Sequence, residues 1–509
     1  IEVEYCCVVY AIDESPAREG VIWAGTNDGL VHVTRDGGET WTEVTDNIPD
    51  LPPEGVVRNI DASKWDAGRA YLTVDRHQMG DFEPYVYRTE DFGQTWTKIT
   101  DGIPAGPLSF ARHVREDPER EGLLFLGTEN RMYVSFDDGG RWQPLQPPGE
   151  GDAERNLPPA PMYWSVIPDH FDDLVIGTYG RGIWILDDIT PLQQLTAEVA
   201  ASDVHLFEPR RAWRFRPAVP EMTMMDDQSA GTDPAYGASL NYWLGEATDA
   251  DVTLVITDAA GDTVRTLEGT GDRGINRVTW DLETEPTDRI RLRTKPEGSD
   301  WVDLGDDRWR PALAEPWAIV SPPGTYTVTL RVGDEERSTE LEVAKDPHSE
   351  GTLEDIDAQV AALRDLYDDT NRAAELVNRL EWIRRQLHDR VEVLESRGDA
   401  ADLVSAADSL DERLKDVEGG LIQLRVTDTG QDDIRWPMKL ARRIAHLADG
   451  ISSADFPPTD QALEVKEVLE GRLADHEERF DALVEGAVAD FEARVEERGL
   501  DGIVTDAPR

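Results

Sequence analysis

Cysteine, lysine and long apolar runs are scarce in this 509-residue sequence. The two cysteines, Cys6 and Cys7, are adjacent, and because neighbouring cysteines seldom bond, no disulfide framework is expected. No run of about 18 apolar residues occurs, which argues against a membrane-spanning helix. The sequence also lacks an initiator methionine and a signal peptide, and it opens on the strand-like stretch YCCVVYAI. We therefore expect the C-terminal part of a longer protein, with any export signal in the preceding part.

Positive charge is also in short supply. The sequence holds 51 Lys and Arg residues against 104 Asp and Glu residues, and its formal net charge is −53. The acidic excess is spread along the chain, as on a solvated acidic surface. Nucleic acid and anionic membrane are not expected as partners, because binding phosphate requires basic patches. With 39% hydrophobic residues, a chain of this length should form several domains, each with its own core.

One pattern, Ser/Thr-x-Asp-x-Gly-x-x-Trp, occurs as TRDGGETW at 34–41, TEDFGQTW at 89–96 and SFDDGGRW at 135–142. We call each copy an octad. Its Asp can accept backbone N–H groups across a turn, its Gly can adopt positive φ, and its Trp can pack between sheets. A calcium loop needs several carboxylates at alternate positions, whereas each octad fixes one, so no metal site is predicted. The predicted structural residues are Asp36, Gly38, Trp41, Asp91, Gly93, Trp96, Asp137, Gly139 and Trp142.

The octads belong to a longer repeat. An apolar strand ending in Gly-Thr and a short polar loop precede the octad, and further short strands follow it, such as WTEVT and VVRNIDAS. Four short strands in a repeat of about 50 residues are typical of a propeller blade. A fourth copy, LVIGTYGRGIWIL at 174–186, is followed by DDITPLQQL, without the Gly and Trp. We predict a partial all-β propeller of about four blades over 1–195, completed by upstream blades of the same longer chain.

After residue 195 the spacing of apolar residues changes twice. Residues 203–346 alternate apolar and polar positions between turn signals, which predicts a β-sandwich with a Pro- and Trp-rich insertion at 283–318. From Thr352 the apolar residues step by three, four or seven, as on one face of a long helix. Thr352 and Asp355 have the spacing of an N-cap and its partner. We predict an all-α antiparallel helical bundle over 352–509.

Several phrases resemble known families. The octads resemble the Asp-box, or BNR, repeat of sialidases, xyloglucan-cleaving glycosidases and sortilin-type receptors. The phrases VITDAAGDTVRTL, NRVTWDL and PPGTYTVTL resemble an Ig-like module found on secreted enzymes. Through YGRGIWILDDITPLQQL, NRLEWIRRQL and GQDDIRWPMKLARRI, and through its domain order, the chain resembles the C-terminal portion of large bacterial BNR-repeat proteins labelled "glycosyl hydrolase". The resemblance implies an exported protein, periplasmic or secreted, but an analogy at the level of the fold says little about chemistry.

The loops between the second and third strands of each blade should share one propeller face, where binding sites are common. The loop at 74–85, VDRHQMGDFEPY, is expanded, which favours a function. Its arginine and those of two neighbouring loops could surround one anionic group, or each could pair with one of the abundant carboxylates. The predicted ligand-binding residues on this face are Arg76, His77, Arg131, Tyr179 and Arg181.

Glycoside hydrolysis needs two carboxylates about 5–10 Å apart, and Asp75 and Glu129 are the pair we nominate as catalytic candidates. No Gly-x-Ser-x-Gly or His-Glu-x-x-His motif occurs, and no cofactor or metal is predicted. The leading hypothesis is an exported bacterial scaffold whose propeller binds a glycan or peptide. The alternatives are a glycoside hydrolase of the Asp-box propeller type and a sortilin-like peptide-binding receptor, although the cysteine-rich module of sortilin is absent.

Overall fold

The computed structural model describes residues 8–146, 156–216, 231, 233–304, 309–397, 400–427, 432–499 and 503–507. Cys6 and Cys7 therefore lie outside the described residues. Antiparallel sheets dominate the chain up to Lys345, and helices follow from Leu353. None of the helices described is both long enough and apolar enough to cross a membrane.

Four successive antiparallel sheets occupy the first part of the chain, and strands that are neighbours in sequence are neighbours in each sheet. The first two sheets are formed by β1 Val9–Glu14, β2 Ile22–Thr26, β3 Val31–Thr34, β4 Thr42–Glu43, β5 Val56–Ala62, β6 Ala70–Asp75, β7 Tyr85–Thr89 and β8 Thr97–Lys98. The next two are formed by β9 Ala111–Glu116, β10 Leu124–Thr128, β11 Met132–Ser135, β12 Gln143–Pro144, β13 Met162–Val166, β14 Leu174–Thr178 and β15 Ile183–Leu186.

The first strand of each sheet is its inner strand. β1 contacts β5, β5 contacts β9, and β9 contacts β13, so the sheets stand side by side around these four strands. This arrangement of radial sheets is that of β-propeller blades, as the repeat predicts. The fourth sheet has three strands and ends at Leu186, and the short helices α1 Thr190–Gln194 and α2 Ala197–Ala200 follow it.

The octad tryptophans occupy different environments. Trp96 lies edge-to-face on Trp23 of the preceding sheet, with 5.9 Å between ring centroids. Trp142 is buried in the core between the second and third sheets. Trp41, in contrast, is 43% exposed. The expectation that every octad Trp packs between two sheets is therefore wrong for the first copy, because no described sheet lies on that side of the first sheet.

Each octad forms the turn between the third and fourth strands of its sheet. In the first copy Asp36 accepts hydrogen bonds from the backbone N–H of Thr40 at 2.9 Å and from its hydroxyl at 2.6 Å. Asp91 and Asp137 accept the corresponding backbone bond at 2.8 Å each. Gly139 has φ +79°, and a Cβ there would lie 2.5 Å from Ile99 of the preceding sheet. Glycine is therefore required both for the turn and for the close approach of two sheets.

Two further sheets enclose one core that contains Tyr242, Trp280 and Tyr326. The smaller sheet has the strand order β16 Val204–Leu206, β18 Ala238–Leu244, β21 Gly274–Trp280. The larger has the order β17 Ala212–Arg214, β25 Glu335–Lys345, β24 Gly324–Val332, β19 Val252–Thr257, β20 Thr263–Glu268. Alternation of apolar residues explains the packing, since every second side chain of β19 is buried.

The segment 283–318 leaves this core and packs on the helices. Its two short strands, β22 Arg291–Leu292 and β23 Arg310–Pro311, pair with each other. Leu292 belongs to the helical core, and the indole of Trp317 lies 5.9 Å from the ring of Tyr367 on the first long helix. The insertion thus links the sheets to the helices.

The helical region contains α3 Leu353–Arg397, α4 Ala401–Leu421, α5 Asp432–Arg435, α6 Leu440–Ser452, α7 Asp460–Leu483 and α8 Ala489–Glu496, and a π-helical turn, Val484–Val488, joins the last two. Thr352 begins α3 through a reciprocal capping box. Its hydroxyl accepts the N–H of Asp355 at 3.1 Å, and its own N–H donates to the Asp355 carboxylate at 2.8 Å.

Candidate ligand site at the propeller rim

The inner strands of all four blades share one irregularity. Each has a break in its pairing with the second strand at the equivalent position, where one residue is skipped. Such a bulge bends the strand and re-aims the side chain of the extra residue. The skipped residues are Tyr10 in β1, Arg58 in β5, Arg112 in β9 and Tyr163 in β13. We call these four residues the rim cluster, because the loops between the second and third strands begin beside them.

The side chains of the rim cluster lie together. The guanidinium carbon of Arg58 lies 5.1 Å from the ring centroid of Tyr10 and 4.8 Å from that of Tyr163. Arg58 also donates a hydrogen bond to the hydroxyl of Tyr10. Arg112, from the third blade, has its guanidinium carbon 5.9 Å from the ring centroid of the same Tyr163. Cation–π contacts therefore connect side chains from four consecutive blades.

Arg112 brings the two nominated carboxylates to one place. Its Nε and Nη2 donate to a carboxylate oxygen of Glu129, the former at 2.9 Å and the latter at 2.5 Å. Its Nη1 lies 3.5 Å from the other carboxylate, that of Asp75. Asp75 is 4% exposed and also accepts hydrogen bonds from His77, through the backbone N–H at 3.0 Å and Nδ1 at 2.6 Å. Asp75, His77 and Glu129 thus form one network centred on Arg112.

The expanded loop folds onto an aromatic residue just before β9. The His77 ring stacks on Phe110 at 4.8 Å with an angle of 16°, and Arg112 lies 4.8 Å from the same ring. Phe82 adds a tilted contact at 6.1 Å. Arg76 instead faces Asp81 at 3.5 Å, within its own loop. The loop therefore presents His77 and Phe82 to the rim and keeps Arg76 for an internal ion pair.

The remaining predicted residues divide between the rim and solvent. Tyr179 is 73% exposed, and its ring lies 6.2 Å from that of Tyr163, next to the rim cluster. Arg131 and Arg181 have no ion pair with any described residue. No contact in the described part of the chain joins these two arginines to each other or to Arg76. A joint anion site for the three loop arginines stays a prediction, whereas two strand arginines, Arg58 and Arg112, both lie by the ring of Tyr163.

The polar groups below the rim are structural. His113 is buried, with Nε2 2.8 Å from the Ser165 hydroxyl. Burial and the nearby Arg115 charge lower the pKa of His113 to about 3, so its ring is neutral at physiological pH. Arg115 pairs with the buried Asp61 and lies 4.4 Å from the ring of Trp164. Across the described ranges, no group of three His, Cys, Asp or Glu side chains could hold a metal ion.

Sequence reasoning from loops missed the rim cluster, although a signal for it exists. The inner strands read YAIDES, RNIDAS, RHVRED and YWSVIP when the four repeats are aligned on their bulges. The first column holds only Tyr or Arg. Regular alternation cannot predict the direction of these side chains, because the bulge interrupts it.

The fold and the site define a propeller-type β protein with an arginine- and tyrosine-lined rim. No family model matches the chain. A stretch of 125 residues, 24% of this chain, is 27% identical to an oligoxyloglucan-reducing end-specific xyloglucanase from Emericella nidulans. The chain covers 14% of that relative.

Two solved structures are given as examples of the structural similarity. A GH74 xyloglucanase from Xanthomonas campestris aligns with 65% of this chain and 43% of its own, at 14% identity and a TM-score of 0.29. YCF48 bound to D1 peptide aligns with 66% of this chain and 83% of its own, at 12% identity and a TM-score of 0.25. Similarity at this level assigns the chain neither a family nor a function.

Proposed function

We propose that this chain is the binding part of a propeller protein and that it recognises a glycan at the rim cluster. The repeated bulge carries the proposal, since it directs Tyr and Arg side chains from four blades to one surface. Tyr163 is 43% exposed and stands beside the more exposed Tyr179. Partly exposed tyrosine rings suit the apolar C–H faces of sugar rings, and adjacent charged groups can bind the hydroxyls.

The same geometry supports binding over hydrolysis. A glycoside hydrolase needs one carboxyl group that carries a proton to the leaving oxygen. Asp75 and Glu129 both contact the guanidinium of Arg112, at 3.5 and 2.5 Å, so this arginine occupies both carboxyl groups. Both nominated residues are therefore held in an ion-pair network with Arg112, and neither is left unpaired to face a leaving oxygen. The similarity of one stretch to a xyloglucanase supports a glycan as the ligand class.

A glycan array, followed by calorimetric titration with the glycans it selects, tests the proposal. We expect Tyr163→Ala to weaken binding at least about tenfold, because it removes a stacking face. Trp301→Ala is the matched control, since Trp301 is 68% exposed on the insertion and distant from the rim in sequence. Circular dichroism should show that both variants fold.

Each of three outcomes would contradict the proposal. If the native chain releases reducing sugar from a glycan, and Asp75→Asn or Glu129→Gln abolishes this release, the protein is a glycoside hydrolase. Binding of peptides but no glycan, with loss in Tyr163→Ala, would favour the sortilin-like alternative. Equal effects of the two aromatic substitutions on glycan binding would remove the rim cluster as the site. An extracytoplasmic location stays a prediction from the family resemblance.

A further inference from the structure

Arg58 has an unusual electrostatic environment for this chain. The sequence contains 104 acidic residues against 51 Lys and Arg, so an arginine has many potential partners. The two other inner-strand arginines near the rim are paired, Arg112 with Glu129 and Arg115 with Asp61. No Asp or Glu of the described ranges lies within ion-pair distance of Arg58. The positive charge of Arg58 is therefore not neutralised by a direct ion pair in the described structure.

The guanidinium of Arg58 is nevertheless held in place. The rings of Tyr10 and Tyr163 lie 5.1 and 4.8 Å from its central carbon, and the Tyr10 hydroxyl accepts one of its hydrogen bonds. A guanidinium has five N–H donors, and this tyrosine accepts from one of its nitrogens. The half-buried side chain thus offers further N–H donors at a fixed position. Binding a ligand would therefore cost less conformational entropy than it would at a mobile surface arginine.

We infer that the glycan bound at the rim carries a carboxylate, as a uronic acid does, and that Arg58 binds this group. This inference rests on the proposed function. A carboxylate matches two parallel N–H donors of a guanidinium, and such charge-assisted pairs are about twice as strong as neutral hydrogen bonds. Arg112 cannot take the same role, because its three nitrogens already face Glu129 and Asp75. The tyrosines beside Arg58 would contact the sugar ring that bears the carboxylate.

A pair of ligands that differ only in charge tests the inference. Oligogalacturonate and its methyl ester share a backbone, and calorimetric titration gives the dissociation constant of each. The glycans of the array that contain a uronic acid are titrated in the same way. We expect the acid form to bind at least about tenfold more tightly at low salt, with the ratio decreasing as ionic strength rises. Arg58→Met should bring the ratio of the two constants close to one, and Arg58→Lys should restore part of it.

Arg141→Met is the matched control, because Arg141 is an exposed octad arginine and should leave the ratio unchanged. Equal binding of acid and neutral glycans by the native chain would overturn the inference while the proposed function stands. Binding of no glycan in either form would overturn the proposed function itself. Preference for a peptide with a free C-terminal carboxylate over its amide would also overturn the inference, since Arg58 would then bind a peptide end.

Discussion

The indole N–H of Trp142 donates a 2.8 Å hydrogen bond to the backbone carbonyl of Ile99. Trp142 ends the octad of the third sheet, whereas Ile99 follows the last strand of the second, so the bond crosses between two blades. Both side chains lie in the core at that junction. This octad therefore closes its own turn and also fastens its sheet to the preceding one.

The first prediction compares two octad tryptophans. Trp142→Ala should lower the free energy of unfolding by about 3–5 kcal/mol, because it leaves a cavity and an unpaired carbonyl. Trp41→Ala should cost less than about 1 kcal/mol, because Trp41 is exposed. Urea denaturation followed by circular dichroism measures both values. Equal losses of unfolding free energy in the two variants would show that the packing of Trp142 between sheets does not stabilise the protein.

The second prediction concerns the octad carboxylate. The hydroxyl and backbone N–H of Thr40 and the hydroxyl of Thr34 donate to Asp36, and these bonds lower the pKa of Asp36 to about 2. Thr40→Val removes the largest of these contributions and should raise the pKa towards its ordinary value of 3.8. Titration of the Asp36 carboxyl carbon by NMR measures the change.

The sign of the linked stability effect follows from the lowered pKa. The ionised Asp36 contributes stability above its unfolded pKa, and this contribution is lost as pH falls through about 2. Thr40→Val should therefore reduce the difference in stability between neutral pH and pH 2. Thr42→Val is the control, because the neighbouring Thr42 does not contribute to the pKa shift of Asp36. An unchanged Asp36 pKa in Thr40→Val would contradict the predicted role of the hydroxyl.

The third prediction concerns two buried carboxyl groups between the insertion and the helices. Burial and the neighbouring Glu381 charge raise the pKa of Glu418 well above its ordinary value. Burial also acts to raise the pKa of Glu381, but the hydrogen bond from Glu418 and the charge of Arg384 together lower it. Of the two carboxyl groups, Glu418 is therefore the one that holds a proton to higher pH. Glu381 is the ionised member and accepts the N–H of Thr294 at 2.6 Å and its hydroxyl at 2.7 Å.

Amide substitutions should separate these two roles. Glu418→Gln should change the free energy of unfolding at pH 7 by less than about 1 kcal/mol, because an amide can also donate to Glu381. Glu381→Gln should cost about 3 kcal/mol, because one of the two carboxylate oxygens, which accept from the N–H of Thr294 and from Arg384, would become an NH2 donor. Thermal denaturation of both variants measures the difference. Similar losses would contradict the assignment of the proton to Glu418.

The pH dependence provides a second readout. A raised carboxyl pKa contributes stability that is complete below the unfolded pKa and is lost as pH rises through the folded pKa. The native chain should therefore lose stability as pH rises through the raised pKa of Glu418, and Glu418→Gln should lose less over the same interval. A parallel decline in both proteins would contradict the prediction.

The sequence alone predicted the elements that depend on local pattern. The octads predicted the turns at Asp36 and its two counterparts, and three-to-four spacing predicted the long helix that begins after Thr352. The insertion was harder to place, because Leu292 is buried among helices that lie far along the chain; the N–H of the adjacent Arg291 donates to Asn378, 87 residues away. Trp41 was predicted to pack between sheets but is exposed. An octad determines the turn, whereas burial of its tryptophan depends on a neighbouring sheet.

The candidate site divides in the same way. Asp75, His77 and Glu129 were identifiable as polar residues on neighbouring loops, and they lie together around Arg112. Arg58 and Tyr163 were missed, because a bulge reverses the inward and outward alternation from which strand positions are predicted. Repeat sequence and period determined the blades, which need only local turns and apolar strands. Only the tertiary structure decided which side chains share the rim, because that surface is assembled from four strands that meet only when the blades pack.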